Sequence, residues 1–472
     1  MNTVKLRKRI SVLDRSISIL QDQLRVLEAE KADLATRLCR STYLVETLPP
    51  EITAQIFMHY IAALEGPTLA PALLGVCRTW RQVALGTPVL WNDIFVSSDH
   101  PQPDALLERW VERTGPRIPL YLELNTTSRT MEPLLAVVGA HATRWRCVAL
   151  RMSIPCTFGL APSDGSGSWD SLEELEVLAG PRHAAVLSPV TGLFRAPRLR
   201  RVRVEVFPAT QLVLPWTQIT ALTLLEQSLA QCLMIISQTR QLEALHVSLT
   251  NRHTRHRPIS LVLPALRRLT IEDDAVPSIL GYMTLPQLTD LDVGGHVDGV
   301  IPLVMRSECT ITHLRLSEMD LDSQAVYGCL RALRAVTHLV VSSPEPEFFP
   351  DFLRIFAAAS YHTEDPPVIL LPLLQSFVVE ECDSVLELES ILLLLEARCK
   401  QRQGYALPTA LLRTFCATFS KDCVDEDEQF KDAILAIKNL VREGLSLQID
   451  MPWHWQSHEL NWHMIQELKR PD

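Results

Sequence analysis

Two groups of histidines come nearest, by residue type and spacing, to a metal-binding site. His253 and His256 lie three residues apart in a basic stretch, and His454 and His458 lie four apart, with His463 beyond them. Zinc sites do use histidines that lie one helical turn apart. Neither group has a third cysteine or carboxylate at ligand spacing. We therefore predict that neither group binds a metal and that the protein uses no cofactor.

Motifs that carry catalysis are also missing from the sequence. It has no nucleophile elbow, phosphate-binding loop, dinucleotide fingerprint or zinc-protease helix. Its cysteines form no CxxC pair, and Cys77, Cys147, Cys309 and Cys416 lie in apolar patterns that are typical of buried, reduced thiols. We therefore predict a protein without catalytic residues, which is not an enzyme and works in the cytoplasm or the nucleus.

Charge and hydropathy argue against two classes of partner. The formal net charge is −10, whereas a nucleic-acid surface usually needs a basic footprint. No uncharged run approaches the roughly 20 apolar residues of a membrane helix. The basic N-terminus is not followed by the apolar segment of a secretory signal. We expect a soluble protein that binds neither nucleic acid nor a membrane.

The first forty residues carry a heptad repeat. Its a positions are Ile10, Ile17, Leu24, Lys31 and Leu38, and its d positions are Leu6, Leu13, Leu20, Leu27 and Leu34. Isoleucine at a with leucine at d favours a parallel two-stranded coiled coil, in which Arg9 at g would pair with Asp14 at e. The pattern predicts a homodimer through residues 1–40. A single amphipathic helix that docks on its own chain is the alternative.

Residues 44–96 form a compact block of helix signals. The segment Leu48-Pro49-Pro50-Glu51 is typical of a helix start, and a second helix is predicted over Ala70–Leu85 before a turn at Thr87-Pro88. The characteristic residues of the block are Leu48, Pro49, Ile52, Ile56, Phe57, Val76, Trp80, Leu90 and Trp91. In order and spacing, these residues resemble the F-box, in the F-box-like version that is abundant in fungal proteins.

The resemblance implies a function and a partner. An F-box binds a Skp-type adaptor, the adaptor binds a cullin, and the resulting ligase ubiquitinates a protein that the F-box chain holds, for degradation. Carried over to this chain, the nine residues above are the predicted adaptor-binding residues. Some of them must form the core of the module, and we expect Leu48, Pro49, Ile52 and the region around Trp80 to lie closest to the adaptor.

The rest of the chain repeats the pattern apolar-x-x-apolar-x-apolar. Eight consecutive copies begin 20 to 27 residues apart, at Leu172, Leu199, Ile219, Leu242, Leu266, Leu288, Ile311 and Val336. Such intervals are typical of leucine-rich repeats. Further copies begin at Trp145, Leu374 and Leu412, and Leu445–Ile449 indicates a last strand. The Asn or Cys ladder of those repeats is missing, so we expect turns that satisfy their backbone groups individually.

The predicted fold class is therefore α/β. It comprises an N-terminal coiled-coil helix (1–40), a small all-α F-box (44–96) and an irregular leucine-rich-repeat solenoid (97–450). A C-terminal cap over residues 451–472 is predicted from Trp453, Trp455 and Trp462.

Side chains along a strand alternate between the core and the opposite face, so the residues between the apolar positions form two outward columns. The first is Glu174, Arg201, Ala221, Ala244, Arg268, Asp290, His313 and His338; the second is Glu176, Arg203, Thr223, His246, Thr270, Asp292, Arg315 and Val340. A protein substrate is predicted to contact Glu174, Arg201, Arg203, His246, Arg268, Asp290, Asp292, His313 and Arg315. The alternatives are a merely solvated face, and a repeat scaffold whose F-box-like module is only structural.

Overall fold

A computed structural model of the protein describes most of the chain. The described residues are 3–40, 48–63, 70–126, 132–152, 167–180, 195–251, 260–272, 279–319, 324–344, 349–358, 370–382, 388–399, 410–419 and 428–450. The predicted C-terminal cap and both histidine groups lie outside them. The chain divides into two compact units: Met1–Asp93 with Trp110–Ile118, and Ile94–Arg109 with Pro119–Asp472.

The first unit begins with one long helix, α1 (Thr3–Arg40). It follows the predicted heptad, and the side chains of its apolar seam are exposed to solvent, with Ile10 at 57% and Leu20 at 62%. In a protein, most of a helix's stability comes from packing of its apolar face rather than from intrinsic propensity. The exposed apolar seam of α1 therefore needs another surface to pack against.

Three shorter helices follow in the first unit: α2 (Pro50–Ala63), α3 (Ala70–Val76) and α4 (Arg78–Leu85). Helix α2 begins at the predicted proline, and the backbone N–H groups of Ile52 and Thr53 both donate to the carbonyl of Pro49 at 3.1 Å. The single helix predicted over residues 70–85 is wrong. It breaks at Cys77, whose extended backbone lets its Sγ accept the N–H of Trp80 at 3.4 Å as the N-cap of α4.

Aromatic side chains make the core of the first unit. Phe57 lies edge-on to Trp80, with ring centroids 4.9 Å apart. Trp91, in the 3-10 turn Pro88–Trp91, is fully buried and donates its indole N–H to the carbonyl of Ala84 at 2.8 Å. Its ring meets Trp110 of helix α5 (Pro103–Arg113) at 5.2 Å. A buried indole that finds a hydrogen-bond partner adds both apolar area and a fixed orientation.

The second unit is built on a sheet in which fourteen strands fall within the described residues and follow one another in chain order. The strands in the described residues are β1 (Asp93–Ser97), β2 (Leu120–Thr126), β3 (Trp145–Met152), β4 (Glu174–Ala179), β5 (Arg201–Glu205), β6 (Ala221–Ser228), β7 (Ala244–Asn251), β8 (Leu261–Val262), β9 (Arg268–Ile271), β10 (Met283–Thr284), β11 (Asp290–Gly294), β12 (His313–Ser317), β13 (His338–Ser342), β14 (Ser376–Cys382), β15 (Thr414–Phe419) and β16 (Ser446–Asp450). Strands β8 and β10 pair separately. From β2 onward the strands of the large sheet pair in parallel.

Each of the eleven predicted copies of the apolar-x-x-apolar-x-apolar pattern lies on or next to a strand, and its members are buried. In the predicted last strand, Leu445 is buried and Leu447 is half-buried. In β4, Leu175 and Val177 are fully buried while Glu174 and Glu176, which alternate with them, are half-buried. Strand β2 was not predicted, although Leu120, Leu122 and Leu124 alternate with polar residues in the same way.

Helices lie between the strands: α6 (Glu132–Ala140), α7 (Leu229–Ile236), α8 (Val300–Ser307), α9 (Gln324–Ala332), α10 (Phe349–Ala358), α11 (Leu388–Cys399) and α12 (Glu428–Arg442).

The turns that leave the strands share one backbone device. The fifth residue after the first outward position adopts a left-handed conformation in several repeats, at Val206 (φ 60°), Gly295 (φ 72°), Glu318 (φ 52°) and Ser343 (φ 46°). Each of these four donates its N–H across the sheet to a carbonyl of the following strand, at 2.9 to 3.1 Å. The expectation that each turn satisfies its backbone individually is therefore wrong for these turns. Backbone geometry takes over the role that a side-chain ladder would have.

Two arginines tie helix ends to earlier parts of the chain. In α8, Arg306 Nη2 donates to the carbonyls of Leu280 and Met283 at 2.7 and 2.6 Å. In α11, the buried Arg398 donates to the carbonyl of Leu370 at 2.7 Å and lies 4.6 Å from the ring centroid of Phe356. Burial lowers the pKa of Arg398 to about 10. Hydrogen bonds to backbone carbonyls offset the desolvation of such a charge.

Glu308 provides a test of backbone strain. It is the exposed C-cap of α8, in a left-handed conformation (φ 51°, ψ 28°) that glycine adopts without steric cost. We expect Glu308→Gly to raise the free energy of unfolding by about 0.5 kcal/mol, because the relief of strain exceeds the extra chain entropy that glycine must lose. Urea denaturation followed by circular dichroism measures this. Glu308→Ala keeps the strain and serves as the control; an equal gain from alanine would contradict the strain argument.

Candidate protein-interaction surfaces

The nine predicted adaptor-binding residues divide by burial. Phe57, Leu90 and Trp91 are buried in the first unit, and Trp80 of α4 is half-buried against Phe57. The other five are exposed: Leu48, Pro49, Ile52, Ile56 and Val76. Buried side chains cannot touch a partner directly, so the first three shape the surface and the exposed five remain available for contact.

Helix α2 shows how the exposed group arises. Thr53 and Phe57 are buried and lie one turn apart on the inner face of the helix. Ile52 and Ile56, also one turn apart, are 43% and 45% exposed on a different face. The apolar spacing therefore marks two faces, one for the core and one for solvent.

Further apolar side chains of the first unit are exposed and were not predicted as contacts. Leu85, Val89, Met58 and Tyr60 are between 37% and 47% exposed. Exposed apolar side chains that gather on one small module are a recognised sign of a protein-binding surface. They could have been predicted as contacts if every apolar residue of the block 44–96 had been considered, not only those of the motif.

In the second unit, strand register brings the two predicted columns together. Glu174 aligns with Arg201, and His313 aligns with His338, as do the other members of the first column from strand to strand. The second column aligns likewise, from Glu176 to Val340. All members of both columns are exposed or half-buried. We call this surface the sheet face.

At its N-terminal end, the sheet face neutralises its own charges. Arg201 donates twice to one carboxylate oxygen of Glu174, at 2.7 and 3.1 Å. Arg203 pairs with Glu205 at 3.0 Å on the same strand. Burial raises the pKa of Glu176, which lies among these groups. Exposed ion pairs of this kind contribute little stability, so their main effect is to fix side-chain positions.

Arg315 is the centre of the C-terminal end of the sheet face. It donates to both carboxylate oxygens of Glu380, at 2.6 and 3.2 Å, and to the hydroxyl of Ser342 at 3.2 Å. It also lies 4.0 Å from the carboxylate of Asp292. Burial raises the pKa of Asp292, and the positive charge of Arg315 offsets part of that rise. Glu380 was not predicted. It lies on β14, two strands from Arg315, and a third outward column would have found it.

Two histidines stack beside this cluster. The rings of His313 and His338 are 4.4 Å apart and nearly parallel, at 16°. The hydroxyls of Thr312 and Thr337 lie within hydrogen-bonding distance of their respective Nδ1 atoms, at 3.0 and 2.8 Å. Burial, and then the neighbouring His313, lowers the pKa of His338. The lowered pKa favours the neutral form of His338 near physiological pH.

A shallow groove of about 210 Å³ joins these groups. Its lining includes Arg268, Asp290, Asp292, His313, Arg315 and His338. The groove thus unites five of the nine predicted substrate-binding residues. The other four, Glu174, Arg201, Arg203 and His246, lie elsewhere on the sheet face, and His246 pairs with Glu272 at 2.7 Å.

Cysteine burial differs from the prediction. Of the four cysteines expected in the core, only Cys309 is buried; Cys77, Cys147 and Cys416 are half-buried. The register places Cys147 beside Glu174 and Cys416 beside Val378, so both belong to the outward columns. Their apolar neighbours in sequence are the core residues on the other side of each strand.

Among the described residues, no group of three or more histidine, cysteine or acidic side chains is placed to hold a metal ion. In the same part of the chain, no helix combines the length and apolar character needed to cross a membrane.

Comparison with known proteins assigns a family to part of the chain. Residues 45–97 match the family model described as F-box-like. This segment contains helices α2 to α4 and the 3-10 turn around Trp91. A search of curated proteins found no match.

Thiol labelling tests the placement of the strands. We expect iodoacetamide to modify Cys147 and Cys416 in the folded protein, and Cys232 and Cys329 only after unfolding. Burial raises the pKa of the latter two to about 12 from 9.0, which lowers the reactive thiolate population roughly a thousandfold. Peptide mass spectrometry resolves each site, with labelling in urea as the control. Equal rates for all four in the folded protein would contradict the register.

Proposed function

We propose that this protein is the substrate-recognition subunit of a cullin-type ubiquitin ligase. In this proposal the F-box-like segment docks a Skp-type adaptor, and the sheet face holds a protein substrate that is ubiquitinated for degradation. The single observation that carries it is the match of residues 45–97 to the F-box-like family, since F-box domains generally bind Skp-type adaptors.

Surface chemistry supports adaptor docking. Leu48, Ile52, Ile56 and Val76 expose between 36% and 59% of their area, although burial would remove that apolar surface from water at a gain of about 25 cal/mol per Å². An interface gains most from a few such anchors inside a polar rim. We place the adaptor contact on this group, with Phe57, Leu90 and Trp91 supporting it from within.

Repeat architecture supports a protein ligand on the sheet face. We propose that the second unit is a leucine-rich-repeat solenoid, because parallel strands recur in chain order at the intervals of such repeats. Its sheet face is long and carries charges of both signs, which suits a protein surface better than a small molecule. The family we propose is the F-box protein with leucine-rich repeats, of the kind abundant in fungi.

The remaining properties follow from this role. We propose a non-enzymatic protein that uses no cofactor, acts in the cytoplasm or the nucleus and contacts the cullin only through the adaptor. We also propose that it self-associates through residues 1–40.

A second function has an observation in its favour. Three of the nine motif residues, Phe57, Leu90 and Trp91, are core residues of the first unit, so the motif serves packing as well as contact. A repeat scaffold whose F-box-like module is only structural would retain them for that reason. Adaptor binding separates the two proposals.

Co-purification with the Skp-type adaptor tests the first proposal. We expect Ile52→Glu together with Val76→Glu to weaken adaptor binding at least about thirtyfold, because charges replace two exposed anchors. Met305→Glu is the matched control, since Met305 is 75% exposed on α8 of the second unit. Binding that survives the double substitution, with unchanged circular dichroism, would refute the assigned contacts. A wild-type protein that never binds the adaptor would favour the scaffold.

Charge reversal in the groove tests substrate recognition. Arg268 is an exposed residue of the groove lining, and we expect Arg268→Glu to reduce ubiquitination of those proteins whose modification depends on the wild-type chain. Quantitative proteomics of ubiquitin-remnant peptides measures this. Arg334→Glu, at an exposed turn before β13, is the matched control. If both variants behave like wild type while adaptor binding persists, the substrate lies elsewhere.

A further inference from the structure

Helix α1 presents an apolar seam that no described residue covers. Its a and d side chains with described burial are all exposed, and six of them, Ile10, Ile17, Leu20, Leu24, Leu27 and Leu34, are more than half exposed. Such a seam is typically buried against another helix with the same repeat. The occupant we consider is α1 of a second copy, and the charges beside the seam decide how the two helices run.

The charges that flank the seam are separated along the helix. At its N-terminal end the flanking e and g positions hold Arg7 and Arg9, and toward its C-terminal end they hold Glu28 and Glu30. Between them lie Asp14 and uncharged Ser16, Gln21 and Gln23. All of these side chains are exposed in the single chain, so each is available to a second helix.

Isoleucine at a favours a parallel dimer, but only two of the five a positions, Ile10 and Ile17, are isoleucine, and the parallel orientation uses few of the flanking charges. In that orientation each g residue faces the e residue five positions later in the second copy. Arg9 then meets Asp14, but Glu28 meets Gln23, and Glu30 meets an alanine at position 35. The two Lys31 side chains also share one core layer, where like charges repel.

An antiparallel dimer uses all four terminal charges. Its core layers pair a with d, and its flanks pair e with e and g with g. When Ile10 faces Leu27 of the second copy, Arg7 meets Glu28 and Arg9 meets Glu30, and symmetry repeats both pairs. We infer that α1 binds α1 of a second copy in this antiparallel register, which rests on the proposed self-association and is independent of adaptor docking.

The charges that face each other across the two helices also determine the register. A shift by one heptad, with Ile10 facing Leu34, sets Asp14 against Glu28 and Arg9 against position 37, which is also arginine. Like charges at these positions are destabilising. In the favoured register, Lys31 faces Leu6 near the end of the coil, where its ammonium can reach water.

Orientation determines where the rest of each chain leaves the coil. At 1.5 Å per residue, the two ends at Arg40 would be about 60 Å apart in the antiparallel dimer. In a parallel dimer they would be separated only by the spacing of packed helices, about 10 Å. The antiparallel coil therefore carries two F-box-like segments on opposite ends.

Charge reversal in the full-length protein tests the inference. We expect Glu28→Arg with Glu30→Arg to raise the dimer Kd at least tenfold, and Arg7→Glu with Arg9→Glu to do the same. Mixing these two variants should restore a dimer, because every flanking pair is then attractive. In a parallel dimer the first variant would bind as wild type does. Asp22→Arg with Asp33→Arg, at outward positions, is the control, and light scattering measures the mass.

A distance measurement separates the remaining outcomes. Spin labels on a ketone-bearing amino acid at position 36 of the full chain, which leaves the cysteines unlabelled, should lie about 50 Å apart. Labels at position 18 should lie close together in either orientation and report dimer formation. A short distance at position 36 would overturn the antiparallel orientation. A monomeric wild-type mass at concentrations well above micromolar would overturn self-association itself, and neither result would bear on adaptor binding.

Discussion

The in-register pairing of parallel strands is the constraint on which the exposed face of the second unit depends. Because equivalent positions align from strand to strand, residues a whole repeat apart in sequence become neighbours at the strand spacing of about 4.8 Å. His313 meets His338 in this way, and Arg201 meets Glu174. The chemistry of the face therefore changes one strand at a time, from charges that neutralise each other to a groove with histidines and Arg315.

The sequence predicted this face well because two-residue alternation carries the information. Once the apolar positions of a strand are known, its outward positions follow. The pairing of Arg315 with Glu380 could not be predicted in the same way. It joins strands β12 and β14 across 65 residues, and side-chain reach, rather than periodicity, determines which carboxylate an arginine finds. Half-buried Cys416 was misjudged because its neighbours in sequence, not its own side chain, face the core.

The helical unit was harder to predict than the sheet, for a physical reason. Neighbouring helix positions differ by only 100°, so Ile52 and Ile56 share a pattern with Phe57 although one group is exposed and the other buried. Contact with Trp80 decides which side becomes the core. The break between α3 and α4 falls at Cys77, which is not a usual N-cap residue, and Gly75 lies within α3 rather than at the break, so the helix end had only a weak signal in the sequence.

The left-handed turns also bear on the order in which the protein is assembled. The turns at Val206, Gly295, Glu318 and Ser343 each complete a backbone hydrogen bond only when the following strand is in place. A chain emerges from the ribosome N-terminus first. The hydrogen bond of each of these turns can therefore form only after the next repeat has been synthesised. The growing edge of the sheet keeps an unpaired N–H until the next strand arrives. Such an edge favours immediate addition of the neighbouring repeat over pairing with a distant one.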